Sequence, residues 1–280
     1  MTAPLDPSIL NRIPGPGSMT WENMGRLAML SLGARALVLQ TAHPIVGAGV
    51  QEHSDFRTDL LPRLARTLTS MQRIVYGTPT EALAEARRVR TLHHTIRGTD
   101  RHGRRYHALE PEAYAWVHAT LFESVVTFGH VCGAPLTADA QARLYTEWRA
   151  VGRMLGLSEY DLPPTAESFR TYFDNTVANR LEVNPVVRDL LGPALLNVSP
   201  PAPIPAALWK AIWPPLGRRA VQLTISTLPP AYLQRLSISL TDRDKRSSRR
   251  FFACTAVVDR LLPDRYRYLP LAAAARRGAR

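Results

Sequence analysis

The chain has 280 residues, 45% of them hydrophobic, enough to bury one large core or two smaller ones. Its formal net charge of +12 comes from 35 basic residues of which only Lys210 and Lys245 are lysines, so the excess reads as an arginine-rich coding bias and no nucleic-acid partner is expected. The two cysteines, Cys132 and Cys254, lie far apart with no C-x-x-C, which excludes a cysteine-built zinc site and fits a reduced, cytoplasmic setting.

Residues 1–19 form a segment rich in proline and glycine with no apolar run, so no secretory signal is visible. The most apolar window, Leu27 to Val50, is interrupted by Arg35, Gln40, His43 and Pro44, too polar for a membrane span. Apolar positions recur at helical steps over 20–42, 59–76, 111–131 and 137–155. Between 79 and 97 the punctuation is clear. Thr78 with Glu81 makes a capping box, Pro79 occupies the first turn, and Gly98 stands where a C-terminal cap belongs. Thr137 and Thr165 are expected N-caps.

The stiff run Ser199–Pro205 divides a helical core, 20–198, from a C-terminal helical layer, 199–280, whose Trp209, Trp213, Phe251 and Phe252 should pack back onto it. Runs at 220–227 and 236–240 alternate weakly and are candidate short strands. Arg243 to Arg250, broken by Asp244, is expected to be a solvated helix start; with Phe251 and Phe252 it offers a peripheral membrane contact. The prediction is one all-α domain.

All eight histidines fall between His43 and His130. A neutral imidazole is both the commonest metal ligand and the usual acid–base group near neutral pH. Helix faces sort them. His93 has Ala86, Val89 and Ile96 around it, whereas His94 has Arg87, Arg90 and Arg97, so His93 is expected to face the core and His94 solvent. A core-facing imidazole is either a hydrogen-bonded structural histidine or a metal ligand, and position alone leaves both open. His118, with Tyr114, Ala115, Leu121, Phe122 and Val125 about it, poses the same choice. His43 precedes Pro44 and should be extended at a helix end. His53 lies in a turn-like stretch, His102 and His107 sit among arginines, and His130 ends a helix.

On the helix at 59–76, Arg63 and Thr67 share one face and Arg66 and Arg73 another. An arginine beside a hydroxyl can hold a ligand carboxylate; it can equally be a surface arginine paired with Asp59. No histidine follows a glutamate by three, which argues against an E-x-x-H di-iron site. H-E-x-x-H, G-x-S-x-G, Walker A and G-x-G-x-x-G are all missing, so hydrolase, NTPase and dinucleotide readings lose their usual support.

Gln40-Thr-Ala-His-Pro-Ile-Val46, Gly49-Val-Gln-Glu-His-Ser54, Arg63-Leu-Ala-Arg-Thr67 leading to Val75-Tyr-Gly77, Val89-Arg-Thr-Leu-His93 and Trp116-Val-His118 together resemble the MpaB-type oxygenases, which include the latex clearing proteins, or rubber oxygenases. The resemblance runs over residues 26–195 and continues faintly to the C-terminus. It implies a multi-helix bundle enclosing a pocket for noncovalent haem b, with His93 as proximal iron ligand and Arg63 and Thr67 against a propionate. It further implies an oxygenase that uses O2 on a lipophilic, alkene-containing terpenoid, polyketide or lipid-like substrate, with a non-catalytic haem carrier or sensor as the alternative. Rubber-cleaving members can place a lysine before that threonine as a distal ligand. Here the position is Arg66, which stays protonated and cannot coordinate iron, leaving water, His43 or His118 for the distal side. Glu52 is the candidate for the catalytic carboxylate.

Overall fold

Threonine and proline punctuation sets most helix starts. The structure, a computed structural model, describes residues 14–57 and 59–279, so most of the segment read as 1–19 lies outside the described residues. The elements begin with α1 (Met19–Asn23), a 3-10 turn (Leu27–Leu32), α2 (Gly33–Ala42), α3 (Pro44–His53), α4 (Leu60–Tyr76) and α5 (Pro79–His94). A two-stranded antiparallel hairpin, β1 (Arg97–Thr99) and β2 (Arg105–His107), leads to α6 (Pro111–Val131), α7 (Ala138–Met154) and α8 (Ala166–Asn179). Then come α9 (Pro185–Leu190), α10 (Pro193–Leu196), α11 (Ala206–Thr227), α12 (Pro230–Arg235), α13 (Asp242–Leu261), α14 (Asp264–Arg267) and α15 (Pro270–Gly278). The all-α prediction holds. The Thr78–Glu81 capping box is present, and Thr137 and Thr165 cap α7 and α8.

Helix α6 is the hub because it is apolar on every side, the pattern of a helix surrounded by others. Ala115, Trp116, Ala119, Phe122, Val125 and Phe128 are all buried, each large apolar side chain contributing roughly 1.5–3 kcal/mol. Polar bonds fix its neighbours. Trp116 Nε1 donates to the Leu39 carbonyl at 2.8 Å and Gln40 Nε2 to Thr120 Oγ1 at 3.0 Å, docking α2. His118 and Trp148 make a reciprocal pair with α7: His118 Nε2 bonds the Trp148 carbonyl at 2.8 Å, and Trp148 Nε1 donates to the His118 carbonyl at 2.9 Å. Their rings stack at 4.5 Å and 6°. Gly152 makes room, since a Cβ there would lie 2.9 Å from His118 Nε2. His118 is thus a packed core histidine.

The expected 20–42 helix is broken. Leaving α1, Gly25 accepts from Leu269 N at 2.8 Å and Arg26 bridges Tyr268, which ties in the C-terminus. Only glycine fits at that crossing, because a Cβ on residue 25 would stand 2.5 Å from Ala272 Cβ and 2.6 Å from Tyr76 Oη. The candidate strand at 220–227 is the end of α11, where Thr224 and Thr227 return their hydroxyls to the Ala220 and Leu223 carbonyls while Leu223 joins a buried cluster with Leu32, Phe128 and Phe252. Burial of one helical face overrides the β-branched propensity. Residues 236–240 form no strand. The C-terminal layer does pack back: Trp209 and Trp213 donate to the Val198 and Leu195 carbonyls, and Arg35 Nε donates to the Thr227 carbonyl at 2.6 Å. Arg243–Arg250 is a solvated helix start, capped by Thr241 with Asp244. Phe252 is buried and Phe251 lies under the Arg219 guanidinium, so this aromatic pair faces the body.

Burial pushes the His118 pKa down to about 4, outweighing the bond to Trp148. In the unfolded chain the ring titrates near its ordinary value of about 6.5. Between these values the unfolded state binds more protons, so stability falls as pH drops from about 6.5 to 4, by up to about 3 kcal/mol, and this contribution is flat above 6.5. Urea unfolding across that range should show the slope, and His118→Gln, which keeps a donor for Trp148 without titrating, should reduce it, leaving the part due to His43 and His93, whose pKa values burial also lowers.

Candidate functional site

Helices α4 and α5 form an antiparallel hairpin whose register is fixed by a buried carboxylate. Glu85 accepts from Ser70 Oγ at 2.5 Å and from Arg88 at 2.6 Å, and these partners hold its carboxyl down at about 2 despite burial. With Ser70 opposite Glu85, the antiparallel count carries Arg63 to the level of Leu92, one residue from His93. Both therefore stand at the same end of the hairpin.

His93 occupies the last turn of α5. Its Nδ1 lies 2.7 Å from the Val89 carbonyl, an acceptor only, so Nδ1 carries the proton and Nε2 the lone pair. Burial lowers its pKa, more than the Val89 bond raises it, which keeps the ring neutral at neutral pH. No protein group bonds Nε2 among the described residues. The ring meets Tyr114 of α6 edge-on at 5.6 Å, and the Tyr114 hydroxyl is buried without a partner. His94 is exposed and meets His107 edge-on at 6.0 Å.

Arg63 is half-buried, and desolvation together with nearby Arg66 lowers its pKa. It donates to Ser54 Oγ, and among the described residues no carboxylate pairs with it. The Asp59 pair is made instead by exposed Arg66, at 3.0 Å. Thr67 is exposed and donates to the Arg63 carbonyl at 3.0 Å.

Glu52 lies in the last turn of α3, two residues before Ser54. It accepts from Tyr106 Oη at 2.5 Å, and His53 Nε2 lies 3.0 Å from the same oxygen. This clamp fastens α3 to the hairpin that directly follows His93. Gly98 belongs to it rather than to a helix cap: α5 ends at His94, and a Cβ on residue 98 would stand 2.6 Å from Tyr106 Oη and 3.0 Å from Glu52 Oε2.

The remaining candidates stand elsewhere. His43 is buried and extended before Pro44, as expected, with both ring nitrogens unbonded; Glu112 lies 3.7 Å away and is itself held by Arg180. Glu112 and Tyr114 are two residues apart on α6, about 200° around the helix, so His43 and His93 address different faces of it. His118 has its Nε2 committed to Trp148. Arg63 thus reaches Ser54 and Glu52 reaches Tyr106 near the end of α3. The hairpin register puts Arg63 and His93 at one end of α4–α5, Thr67 stands exposed one turn further along, and His43 and His118 stand elsewhere. Tyr114, Tyr106 and Ser54 were not singled out as site residues. Tyr114 was read only as a neighbour of His118, and Tyr106 sits in a hairpin too short to show a period.

Among the described residues no three His, Cys, Asp or Glu side chains gather to hold a bare metal ion. A metal carried in a macrocycle would need only one nitrogen donor from the protein. His93 Nε2 meets that requirement, and the unpaired Arg63 suits the carboxylates of such a group.

Residues 21–258 match the family described as "ER-bound oxygenase mpaB/B'/Rubber oxygenase, catalytic domain". The chain belongs to this family. Membership in the mpaB/rubber oxygenase family makes oxygenase chemistry its coarse assignment, and every segment that carried the resemblance lies inside the matched range. An uncharacterized protein of Mycobacterium bovis and one of Mycobacterium tuberculosis are each 25% identical to it over 241 residues, covering 84% of this chain and 90% of theirs. No solved structure matches.

The Glu52–Tyr106–Gly98 contact generates a coupling prediction. Gly98→Ala should destabilise by about 1–3 kcal/mol through overpacking, and Tyr106→Phe by about 1 kcal/mol through the lost hydrogen bonds. The double variant should be less damaged than the sum, since removing the hydroxyl removes the nearest clash. Chemical denaturation of the four proteins measures this; strict additivity would contradict the packing described.

Proposed function

We propose that this chain is a haem b-dependent oxygenase acting on a lipophilic, alkene-containing substrate of terpenoid, polyketide or lipid-like character, with His93 as the residue that would hold the iron. The observation that carries this reading is the His93 tautomer: Nδ1–H is committed to the Val89 carbonyl, and the neutral, half-buried ring leaves Nε2 accessible to donate. When bound, the haem iron supplies O2 activation. The chain does the rest. His93 holds the group from one side, and its Val89 bond keeps the ring from rotating and raises its donor strength. Arg63 pairs a propionate through a charge-assisted bond, with Thr67 one turn further along. Arg66 remains paired to Asp59 and adds no ligand. Glu52, which accepts from Tyr106, would serve as the carboxylate that takes or returns a proton.

Titration of the purified protein with haem, read in the visible spectrum, tests the assignment. Wild type should bind one equivalent and His93→Ala should lose the low-energy band pattern of an imidazole-ligated iron while keeping its helical circular dichroism. Equal spectra for the two would overturn it. Arg63→Leu should weaken haem binding by roughly tenfold, in line with the loss of one charge-assisted pair. The same variant should bind haem dimethyl ester, which lacks free propionates, as wild type does; an equal loss for both would remove Arg63 from that role. Oxygen uptake dependent on an added lipophilic alkene separates an oxygenase from a haem carrier on the same fold.

A further inference from the structure

Helices α11 and α13 touch over only part of their lengths. Arg219 donates to Ser247 Oγ at 2.7 Å, and Gln222 Nε2 to Asp244 Oδ1 at 3.2 Å. Residue numbers fall along one helix as they rise along the other, so the pair is antiparallel. Going down α11 from Arg219 and up α13 from Ser247 leads towards the same end of the molecule. Along that way the face of α11 that meets α13 continues as Leu216, Ile212 and Leu208, at four-residue steps, and all three are exposed. The matching face of α13 continues through Cys254 and Val258 to Leu261, which is 77% exposed. Tyr266, one turn of chain further on in α14, is exposed as well. Apolar side chains ordered on one stripe and left uncovered mark an interaction surface rather than scattered surface hydrophobes.

The charge around this stripe selects the partner. Arg250 at the middle of α13, Arg260 near its end and Arg265 on α14 lie exposed, and no ion pair holds them among the described residues. Just beyond Leu261 a cavity of about 260 Å³ is lined by Pro263, Asp264, Arg265, Arg276 and Arg277; Arg276 is paired with Glu22 at 2.8 Å and with Asp264, while Arg265 and Arg277 are exposed. A second copy of a chain with net charge +12 would bring like charge to a basic rim. A bilayer bearing anionic headgroups offers apolar depth to the leucines and phosphate to the arginines at once. We infer that the first half of α11 and the second half of α13, with α14, dock peripherally on an anionic lipid membrane. The contact needs no spanning segment, and no helix among the described residues is long and apolar enough to cross a membrane. It uses neither Phe251 nor Phe252, and it is independent of haem.

Flotation of the whole protein with phosphatidylglycerol–phosphatidylcholine vesicles tests it, beside vesicles of phosphatidylcholine alone. Wild type should float with the anionic vesicles only, and less at high salt. The double variant Leu208→Glu/Leu261→Glu, at two exposed positions, should bind about tenfold more weakly with unchanged thermal unfolding. Tyr160→Glu, at an exposed tyrosine outside the stripe, should bind as wild type does. Three results overturn the proposal: no flotation, equal flotation with neutral vesicles, or a double variant that floats like wild type. A fourth is a wild-type dimer, seen by light scattering, that the double variant dissolves and that ignores vesicles; it would make a second copy the occupant.

Discussion

The hydrogen bond between His93 Nδ1 and the Val89 carbonyl decides what this site can be. Both atoms belong to one turn of α5, so the bond forms whenever the helix does. It contributes about 1 kcal/mol net, and the opposite tautomer would set a lone pair against the carbonyl oxygen at 2.7 Å. The proton therefore stays on Nδ1. Burial removes the second threat, protonation, by lowering the pKa of the ring. What remains is a neutral nitrogen donor held in one orientation by a rigid helix, the preparation an axial ligand requires.

Two contacts outside that turn keep the donor in place. The Ser70–Glu85–Arg88 cluster sets α5 against α4 and so brings Arg63 within one residue of the level of His93. On the other side, the Glu52–Tyr106 bond fastens the end of α3 to the hairpin after His93. Each uses a charged or phenolic group where an apolar contact would serve packing alone, and such groups hold register because any slip leaves one of them buried and unpaired. Behind them α6 supplies a wall already packed against α2 and α7, which explains why the His118–Trp148 pair, though built from site-type residues, belongs to the scaffold.

Much of this was legible in the sequence because the signals are local. The Thr78–Glu81 box, Pro79 and the opposite surroundings of His93 and His94 all lie within two or three turns of one helix, and the structure keeps each of them. Contacts between distant segments were not legible. Gly25 stands where it does because Ala272 and Tyr76 come close, and Gly98 because of Tyr106; in sequence the first is an ordinary glycine inside a helical pattern and the second a plausible cap. Thr224 and Ile225 lie in an alternating run that reads as strand, yet the helix begun at Ala206 carries through them to bury Leu223. The histidines followed the same rule. Periodicity placed His118 on an apolar face, but only the position of Trp148 across from it says that its nitrogen is already used.

A crystal structure of the protein loaded with haem, phased at the iron absorption edge, tests the central claim most directly. The account predicts the iron peak beside His93 Nε2, with Nδ1 still on the Val89 carbonyl and a propionate against Arg63. Iron ligated by any other side chain, or a His93 ring turned away from it, would contradict the account.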